Sequence, residues 1–238
     1  MTTAFVFDVD GTITESRQWI PKKWSEPFTK LCQSEDVYLV TGSDFAKTKE
    51  QLEDITKLVT ASYQCAGNET WVRDVLVSSS SIFKPSKKLR DVMSSELDRS
   101  MCPARTGNHF DYRAGMVNLS TVGRNATNDQ RYEYIDFDKK HHEREDMAEF
   151  INMMCGDEVT AQIAGKTGID IFEHGRDKSQ VYNKLKPMYN QIVFFGDDCQ
   201  QGGNDYPFVV KCNGDDVVHH VSSPDETYTI LKDNYGTF

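Results

Sequence analysis

The sequence of 238 residues is long enough to bury a sizeable core, either as one large domain or as a domain with a smaller companion. Its formal net charge of -10 argues against nucleic-acid binding, and it contains no apolar run of about 18 residues that could span a membrane. The six cysteines are scattered without the spacing of a metal site or a disulfide framework, and no secretory signal is recognisable. We therefore expect a cytoplasmic protein.

The first part of the chain alternates apolar strands with helices. AFVFD (4–8) has the pattern of a buried strand, a helix is expected over about 21–32, and VYLV (37–40) repeats the strand pattern. A second helix is predicted over FAKTKEQLEDITKL (45–58). Strands that alternate with helices imply a parallel sheet whose ligand site lies at the carboxyl ends of the strands.

The middle of the chain changes character after SSSS (78–81), which we interpret as a hinge. HFDYRAGMVNLSTVGR (109–124) alternates in polarity and predicts two strands joined by a turn at Ala114-Gly115. VTAQIAG and GIDIF predict further strands. One amphipathic helix is predicted over 136–154, with a buried face formed by Met147, Phe150, Ile151 and Met154.

After Phe172 the first pattern resumes. A helix is predicted over 179–185, and the apolar strand QIVFFGDD (191–198) ends in two acids. The last helix begins with Ser223 as N-cap and Pro224 at its first position. The chain therefore resumes the strand and helix order with which it began.

These patterns predict an α/β fold with two domains. We expect a Rossmann-like core with a parallel sheet over residues 1–77 and 173–238. Antiparallel pairing inside an otherwise parallel protein indicates an inserted α+β cap domain, over residues 78–172.

Polar side chains follow three of the predicted core strands. These side chains are Asp8 and Asp10, Thr41 and Ser43, and Asp197 and Asp198. The carboxyl ends of parallel strands lie side by side, so the acids are expected to converge. Clustered carboxylates repel each other unless a cation lies among them, and ligands made only of oxygen favour Mg²⁺. The anion that such a site suits is a phosphate.

The residue types predict a separate role for each side chain at this site. A carboxylate that faces a phosphoryl group can attack phosphorus and form an aspartyl-phosphate, which is the role expected of Asp8. Asp10 is placed to move protons as a general acid and base, and Lys178 to balance the negative charge. Thr41 or Ser43 can donate hydrogen bonds to the phosphate. The alternatives are that an Asp-x-Asp pair serves another metal site and that Lys178 is a solvated lysine at a helix start.

The sequence resembles the haloacid dehalogenase (HAD) superfamily. Its four motifs match Asp8-Val-Asp10-Gly-Thr, Thr41-Gly-Ser43, Lys178 and Gly196-Asp197. Along nearly the whole chain it is similar to the eukaryotic-type phosphomannomutases. The matching stretches are FDVDGTIT, TGSDFAK, YRAGMVNLSTVGR, GIDIFEHGRDK and FFGDDCQQGGNDYPF.

The resemblance implies a larger set of site residues. The cap domain is expected to bind one phosphate through guanidinium groups, which bind phosphate bidentately, at Arg113, Arg124 and Arg131. Arg17 matches an arginine that contacts substrate, and Asp170 and the position of Gly168 match residues that contact the sugar. The expected metal ligands are Asp8, Asp10, Asp197 and Asp205. The alternatives are a solvated Arg131 and an ion pair of Arg113 with Asp111.

Three departures from the family pattern bear on the site. Gly168 replaces a serine, Thr41 replaces a glycine, and Lys211 stands where the family has an acid in a second cation site. An ammonium at that position argues against a second cation. The missing serine leaves the sugar preference open.

The function implied by the resemblance is a phosphohexomutase that interconverts mannose 6-phosphate and mannose 1-phosphate, in GDP-mannose biosynthesis. The reaction would pass through an aspartyl-phosphate and need Mg²⁺ and a hexose 1,6-bisphosphate. The expected partner is a phosphosugar, and a homodimer through the cap domain is also expected. Binding to nucleic acid or to a membrane is not expected. The alternatives are a HAD-type phosphosugar phosphatase and a non-catalytic phosphosugar-binding protein.

Overall fold

The computed structural model describes residues 2–236 as strands, helices and their connections. The strands are β1 (Thr3–Phe7), β2 (Asp36–Val40), β3 (Ala61–Gln64), β4 (Glu69–Val72), β5 (Val75–Ser79), β6 (Phe110–Arg113), β7 (Met116–Leu119), β8 (Val159–Ala164), β9 (Gly168–Glu173), β10 (Gln191–Gly196) and β11 (Val217–His220). The helices are α1 (Lys22–Ser34), α2 (Phe45–Leu52), α3 (Lys87–Arg99), α4 (Asn128–His141), α5 (Glu143–Cys155), α6 (Ser179–Leu185), α7 (Tyr206–Val209) and α8 (Pro224–Tyr235).

The chain divides into two compact units. The core unit consists of the residues up to Ser80 and from Gly175, and the cap unit spans Ser81–His174. The sequence places these boundaries earlier, after residues 77 and 172. They differ because Ser78 and Ser79 pair with β4 and complete β5, and because β9 continues through Glu173. The serine run is therefore partly strand and not a hinge throughout.

The core unit contains a sheet of seven strands in the order β11-β10-β1-β2-β3-β4-β5. The first five of these run parallel, and β4 and β5 are antiparallel additions. Phe7 of β1 packs in the cluster that contains Phe28 of α1, while Val6 packs on the other side with Val181 of α6. Both faces are covered, which explains why β1, β2 and β10 are apolar without alternation.

The cap unit contains an antiparallel sheet of four strands in the order β6-β7-β9-β8. Val117, Leu119, Ile169 and Ile171 form an apolar cluster with residues of α3 and α5. The alternate residues of these strands therefore lie on the opposite face of the sheet. The predicted α/β class, with a parallel core sheet and a separate antiparallel sheet, is confirmed.

The single helix predicted over 136–154 is wrong. The structure has two helices here, α4 and α5, which meet at His142 with a φ of 55°. A residue in this left-handed conformation ends a helix, and its N–H donates to the carbonyl oxygen of Asp138 at 2.7 Å.

The buried face of α5 also differs from the predicted one, since Phe150 is only half-buried. Met154 is 40% exposed, against the prediction that it is buried. The buried residues of α5 are Met147, Ala148, Ile151 and Cys155.

The helix predicted over 45–58 is also shorter than expected. It ends at Leu52 because Glu53 has a φ of 49°, and a 3-10 helix over Glu53–Lys57 follows. Within residues 2–236, no helix is both long enough and apolar enough to cross a bilayer.

Candidate active site

The loops that follow β1 and β10 bring three acids together. Asp8 directly follows β1, and its N–H donates to the carbonyl oxygen of Phe195 in the neighbouring strand at 2.9 Å. Asp8, Asp197 and Asp205 each offer a carboxylate oxygen, and these oxygens lie within 4.8 Å of one another. Asp8 and Asp205 are buried, and Asp197 is half-buried. Of the strand-end acids that the sequence predicts to converge, Asp8 and Asp197 lie in this cluster, and Asp205, an expected metal ligand, joins them.

Lys178 lies between two of these acids. Its Nζ is 2.6 Å from Oδ1 of Asp8 and 2.7 Å from Oδ1 of Asp205. The Lys178 side chain is only 2% exposed, although this residue stands at the start of α6. The alternative of a solvated lysine is therefore wrong, because a buried ammonium needs the carboxylates that surround it.

The negative charges of the acid cluster suit a divalent cation. Burial raises the pKa of Asp8 to about 7 against the opposing effect of Lys178, and the Asp205 carboxylate raises it further. Burial, followed by the carboxylates of Asp8 and Asp205, raises the pKa of Asp197 to about 8. Three carboxylates with a single ammonium leave an excess of negative charge. A hard cation with oxygen ligands, such as Mg²⁺, balances that excess.

Asp10 is held by a different set of donors. Its Oδ2 contacts the Nζ of Lys47, and its Oδ1 accepts from the amide of Gln51 at 2.9 Å. Burial alone would raise the pKa of Asp10, but the Lys47 ammonium and the donated hydrogen bonds lower it below its usual value. Among residues 2–236, the cluster of potential metal ligands does not include the Asp10 carboxylate.

The remaining predicted residues of the core unit surround Asp10. The hydroxyl of Ser43 donates to Asp10 at 3.3 Å, and its N–H donates to the hydroxyl oxygen of Thr41 at 3.1 Å. Arg17 has a φ of 61°, and its N–H donates to Asp10 at 3.2 Å. Arg17 thus contacts Asp10 through its backbone.

Gly11 allows the first loop to approach Asp197. It has a φ of 93°, and a Cβ at this position would lie 2.2 Å from Oδ2 of Asp197. Any larger residue would push Asp197 away from the acid cluster. The Asp10-Gly11 turn is therefore needed for the site itself as well as for the chain reversal.

The predicted cap arginines lie within the cap unit. Nη2 of Arg113 is 2.6 Å from Oδ2 of Asp111, and Nη2 of Arg124 is 3.3 Å from the same oxygen. The alternative pairing of Arg113 with Asp111 is thus present. The two guanidinium groups thus converge on one carboxylate oxygen. Arg131, near the start of α4, donates to the hydroxyl of Thr167 at 3.0 Å.

Asp170 lies in β9 and is 3% exposed. Its Oδ1 accepts from the amide of Asn118 at 2.7 Å. Gly168 begins the same strand and is buried. The predicted positions of the cap unit thus lie on or beside one sheet.

Several residues of the two sets escaped the sequence reasoning. They are Lys47 and Gln51 beside Asp10, and Asn118 beside Asp170. Lys47 and Gln51 are four residues apart on α2, so their common helix face was a signal that could have been used. Asn118 carried no such signal, because an asparagine in a strand has no specific meaning by itself.

Comparison with known proteins gives a consistent result. A family model described as eukaryotic phosphomannomutase matches residues 25–236. A phosphomannomutase of Encephalitozoon cuniculi is 32% identical, covering 95% of this chain and 91% of the relative. A phosphomannomutase of Saccharomyces cerevisiae is 31% identical, covering 98% of this chain and 94% of the relative.

Solved structures share the fold at low sequence identity. A HAD subclass IIB sugar phosphatase has a TM-score of 0.60 and 15% identity, with all of both chains covered. An IMP-nucleotidase of Plasmodium falciparum has a TM-score of 0.66 and 15% identity, covering 97% of this chain and 69% of the other. These two likenesses support the fold alone.

Proposed function

Because the chain belongs to the eukaryotic phosphomannomutase family, we propose that it interconverts mannose 6-phosphate and mannose 1-phosphate through a phosphorylated Asp8. The observation that carries this assignment is the buried contact of Asp8 with Lys178 beside two further acids. A buried carboxylate that has an ammonium partner can remain ionised and act as a nucleophile.

The proposed reaction begins with a hexose 1,6-bisphosphate. An oxygen of Asp8 forms a bond to phosphorus, the bond from phosphorus to the sugar oxygen breaks, and Asp10 supplies the proton that this oxygen takes up. In the second step a hydroxyl of the next sugar phosphate forms a bond to phosphorus, and Asp10 accepts the hydroxyl proton. The bond from phosphorus to the Asp8 oxygen breaks, which regenerates the Asp8 carboxylate. Lys178 keeps the charge of Asp8 balanced throughout.

The acids of the core unit would hold the metal ion. Asp8, Asp197 and Asp205 supply oxygens only, which suits Mg²⁺. When bound, this ion supplies positive charge to the carboxylates and to the oxygens of the transferred phosphoryl group. Asp10 as a fourth ligand stays a prediction.

The cap residues are proposed to bind the other end of the substrate. Arg113 and Arg124 converge on one carboxylate oxygen, so their guanidinium groups are already gathered for an anion. We propose that Arg113, Arg124 and Arg131 bind the second phosphate, and that Asp170 contacts the sugar. A homodimer through the cap and a role for Arg17 at the substrate also stay predictions.

Phosphorus NMR tests the proposed function directly. With mannose 1-phosphate, Mg²⁺ and a trace of hexose 1,6-bisphosphate, we expect the resonance of mannose 6-phosphate to appear. Inorganic phosphate as the sole product would identify a phosphatase and refute the proposal. Absence of any reaction would favour a binding protein instead.

Asp8→Asn should reduce this turnover by a factor of roughly 100 or more, because the amide is not a nucleophile at phosphorus. Asp54→Asn is the matched control, since it removes a carboxylate of the same unit that is 84% exposed. We expect the control to keep wild-type turnover. Retained activity in Asp8→Asn would contradict the nucleophile assignment.

A further inference from the structure

The polar face of the cap sheet carries one row of polar residues that crosses all four strands. Asp111 pairs with Asn118, Asn118 with Asp170, and Asp170 with Gln162. Residues directly opposite each other in antiparallel strands project to the same side, with their Cβ atoms about 5 Å apart. Asp170 therefore lies between two carboxamides, one on each neighbouring strand.

Asn118 fixes the side chain of Asp170. Its Nδ2 donates to Oδ1 of Asp170 at 2.7 Å, and both residues are at least 95% buried. On its other side, Oδ1 of Asn118 accepts from Nη1 of Arg124 at 3.5 Å. Asn118 thus connects an expected phosphate ligand with an expected sugar ligand.

The room that Asn118 occupies is provided by Gly168. A Cβ at position 168 would lie 2.6 Å from Nδ2 of Asn118 and 3.2 Å from its Oδ1. Any side chain at 168 would therefore displace the amide that binds Asp170. The glycine at this position and the placement of Asn118 depend on each other.

Gln162 is the other neighbour of Asp170 in the row. It is half-buried, and no hydrogen bond to its side chain is formed within residues 2–236. A carboxamide offers donors and an acceptor, and beside a carboxylate it suits the adjacent hydroxyl groups of a sugar ring. A half-buried amide without a protein partner can exchange its hydrogen bonds with water for hydrogen bonds with the hydroxyl groups of a ligand.

We infer that Gln162 binds a hydroxyl group of the hexose ring and that Asn118 is the positioning residue that holds Asp170 for the same ring. This inference rests on the proposed function and deepens it, because it assigns sugar recognition to two residues that are not among the expected site residues. In this chain the carboxamides of the row supply the polar contacts beside Gly168, where the family has a serine.

Binding of mannose 1-phosphate tests the role of Gln162. Calorimetry in an Asp8→Asn background keeps the sugar phosphate intact. We expect Gln162→Leu to weaken this binding roughly five- to tenfold, the range of one hydrogen bond, and to leave the affinity for inorganic phosphate unchanged. Thr160→Val is the matched control on the same strand and face, where the hydroxyl is bonded to His174 at 2.9 Å. Equal affinities for Gln162→Leu and the control would overturn the inference.

A double-mutant cycle tests the role of Asn118. Gly168→Ser should weaken binding of mannose 1-phosphate by displacing Asn118, and the same change should have no further effect in an Asn118→Ala background. Equal losses in both backgrounds would refute the positioning role. Gly168→Ala repeats the cycle with the smallest possible side chain, and thermal unfolding identifies any variant that fails to fold.

These binding measurements are independent of the mutase assay. If the wild-type protein fails to convert mannose 1-phosphate, the proposed function falls, while a loss of sugar binding in Gln162→Leu still supports a sugar site. If the wild-type protein is an active mutase and Gln162→Leu binds mannose 1-phosphate with unchanged affinity, only the inference about Gln162 is refuted.

Discussion

At the scale of single residues, the acids of the core unit differ in pKa because their neighbours differ. Asp8 and Asp197 lie in a buried cluster of like charges, and burial together with neighbouring carboxylates raises their pKa to about 7 and 8. Asp10 is two residues from Asp8, but the Lys47 ammonium and the donors around it lower its pKa. The two aspartates of one motif therefore have their pKa values shifted in opposite directions by their different neighbours.

Lys47→Met should raise the pKa of Asp10, because burial is then opposed only by the hydrogen bonds. In the wild type, whose Asp10 pKa is below its ordinary value of 3.8, the carboxylate stays ionised as the pH falls toward 4. In the variant it should take up its proton at a higher pH. Carbon-detected NMR of the Asp10 carboxyl measures this directly, with Asp10→Asn for assignment.

Lys47→Arg is the control for the Lys47 prediction, because it keeps the positive charge beside Asp10. We expect its Asp10 to titrate as in the wild type, and Lys47→Met to lower mutase turnover roughly tenfold through the loss of that charge. An unchanged titration of Asp10 in Lys47→Met would show that this ammonium does not control the carboxyl.

The sequence predicted the clustering of Asp8, Asp197 and Lys178 better than the contacts around Asp10. Asp8, Asp197 and Lys178 could be found because each stands at the end of a recognisable element, where parallel topology brings such ends together. The contacts around Asp10 were missed, although the shared helix face of Lys47 and Gln51 was a signal for them. The pairing of Gln162 with Asp170 could not be predicted, because the register between two strands is not visible in the sequence of either strand.

At the scale of elements, the sequence pattern predicted β1, β2 and β10 of the core sheet and the four strands of the cap sheet. It missed β3, β4, β5 and the break between α4 and α5. The polar stretch around His141 and His142 continues a helical pattern, and no glycine or proline marks an end there. Side-chain contacts of Asp138 with Arg144 span the break. The carboxylate of Asp138 accepts both from the N–H of Arg144 and from its guanidinium, at 2.9 and 2.8 Å, which holds the two helices at this corner.

His142→Gly should stabilise the protein, because glycine adopts the left-handed conformation of this position without the steric cost of a side chain. The gain is expected to be at most about 1 kcal/mol, since glycine also makes the unfolded chain more flexible. The exposed ion pair that His142 forms with Glu145 contributes little. Thermal unfolding should show a midpoint about 2–4 °C higher for a gain of that size.

Glu133→Gly is the matched control for His142→Gly, as it introduces the same residue into the exposed interior of α4. There glycine should cost about 1 kcal/mol. If both variants were destabilised to a similar extent, the left-handed conformation at His142 would not be the feature that ends α4.

At the scale of the whole molecule, the two units have separate hydrophobic clusters and separate sheets. The apolar residues of the cap sheet pack against α3 and α5 of the same unit, and those of the core sheet against α1, α6 and α8. The core unit is built from two stretches of chain, whereas the cap unit is one continuous stretch. A continuous unit with its own core meets the usual description of an autonomous domain.

We therefore expect the isolated fragment Ser81–His174 to fold by itself. Its sheet has all four strands, and residues such as Val117 and Ile171 find their apolar partners within it. Circular dichroism should show helix and strand with a cooperative thermal transition, at a stability of a few kcal/mol. Because the arginines proposed to bind phosphate all lie within this stretch, the fragment should also bind mannose 1-phosphate, and Arg113→Ala should weaken that binding. A fragment that stays unfolded would mean that the cap depends on the core for its stability, although their clusters are separate.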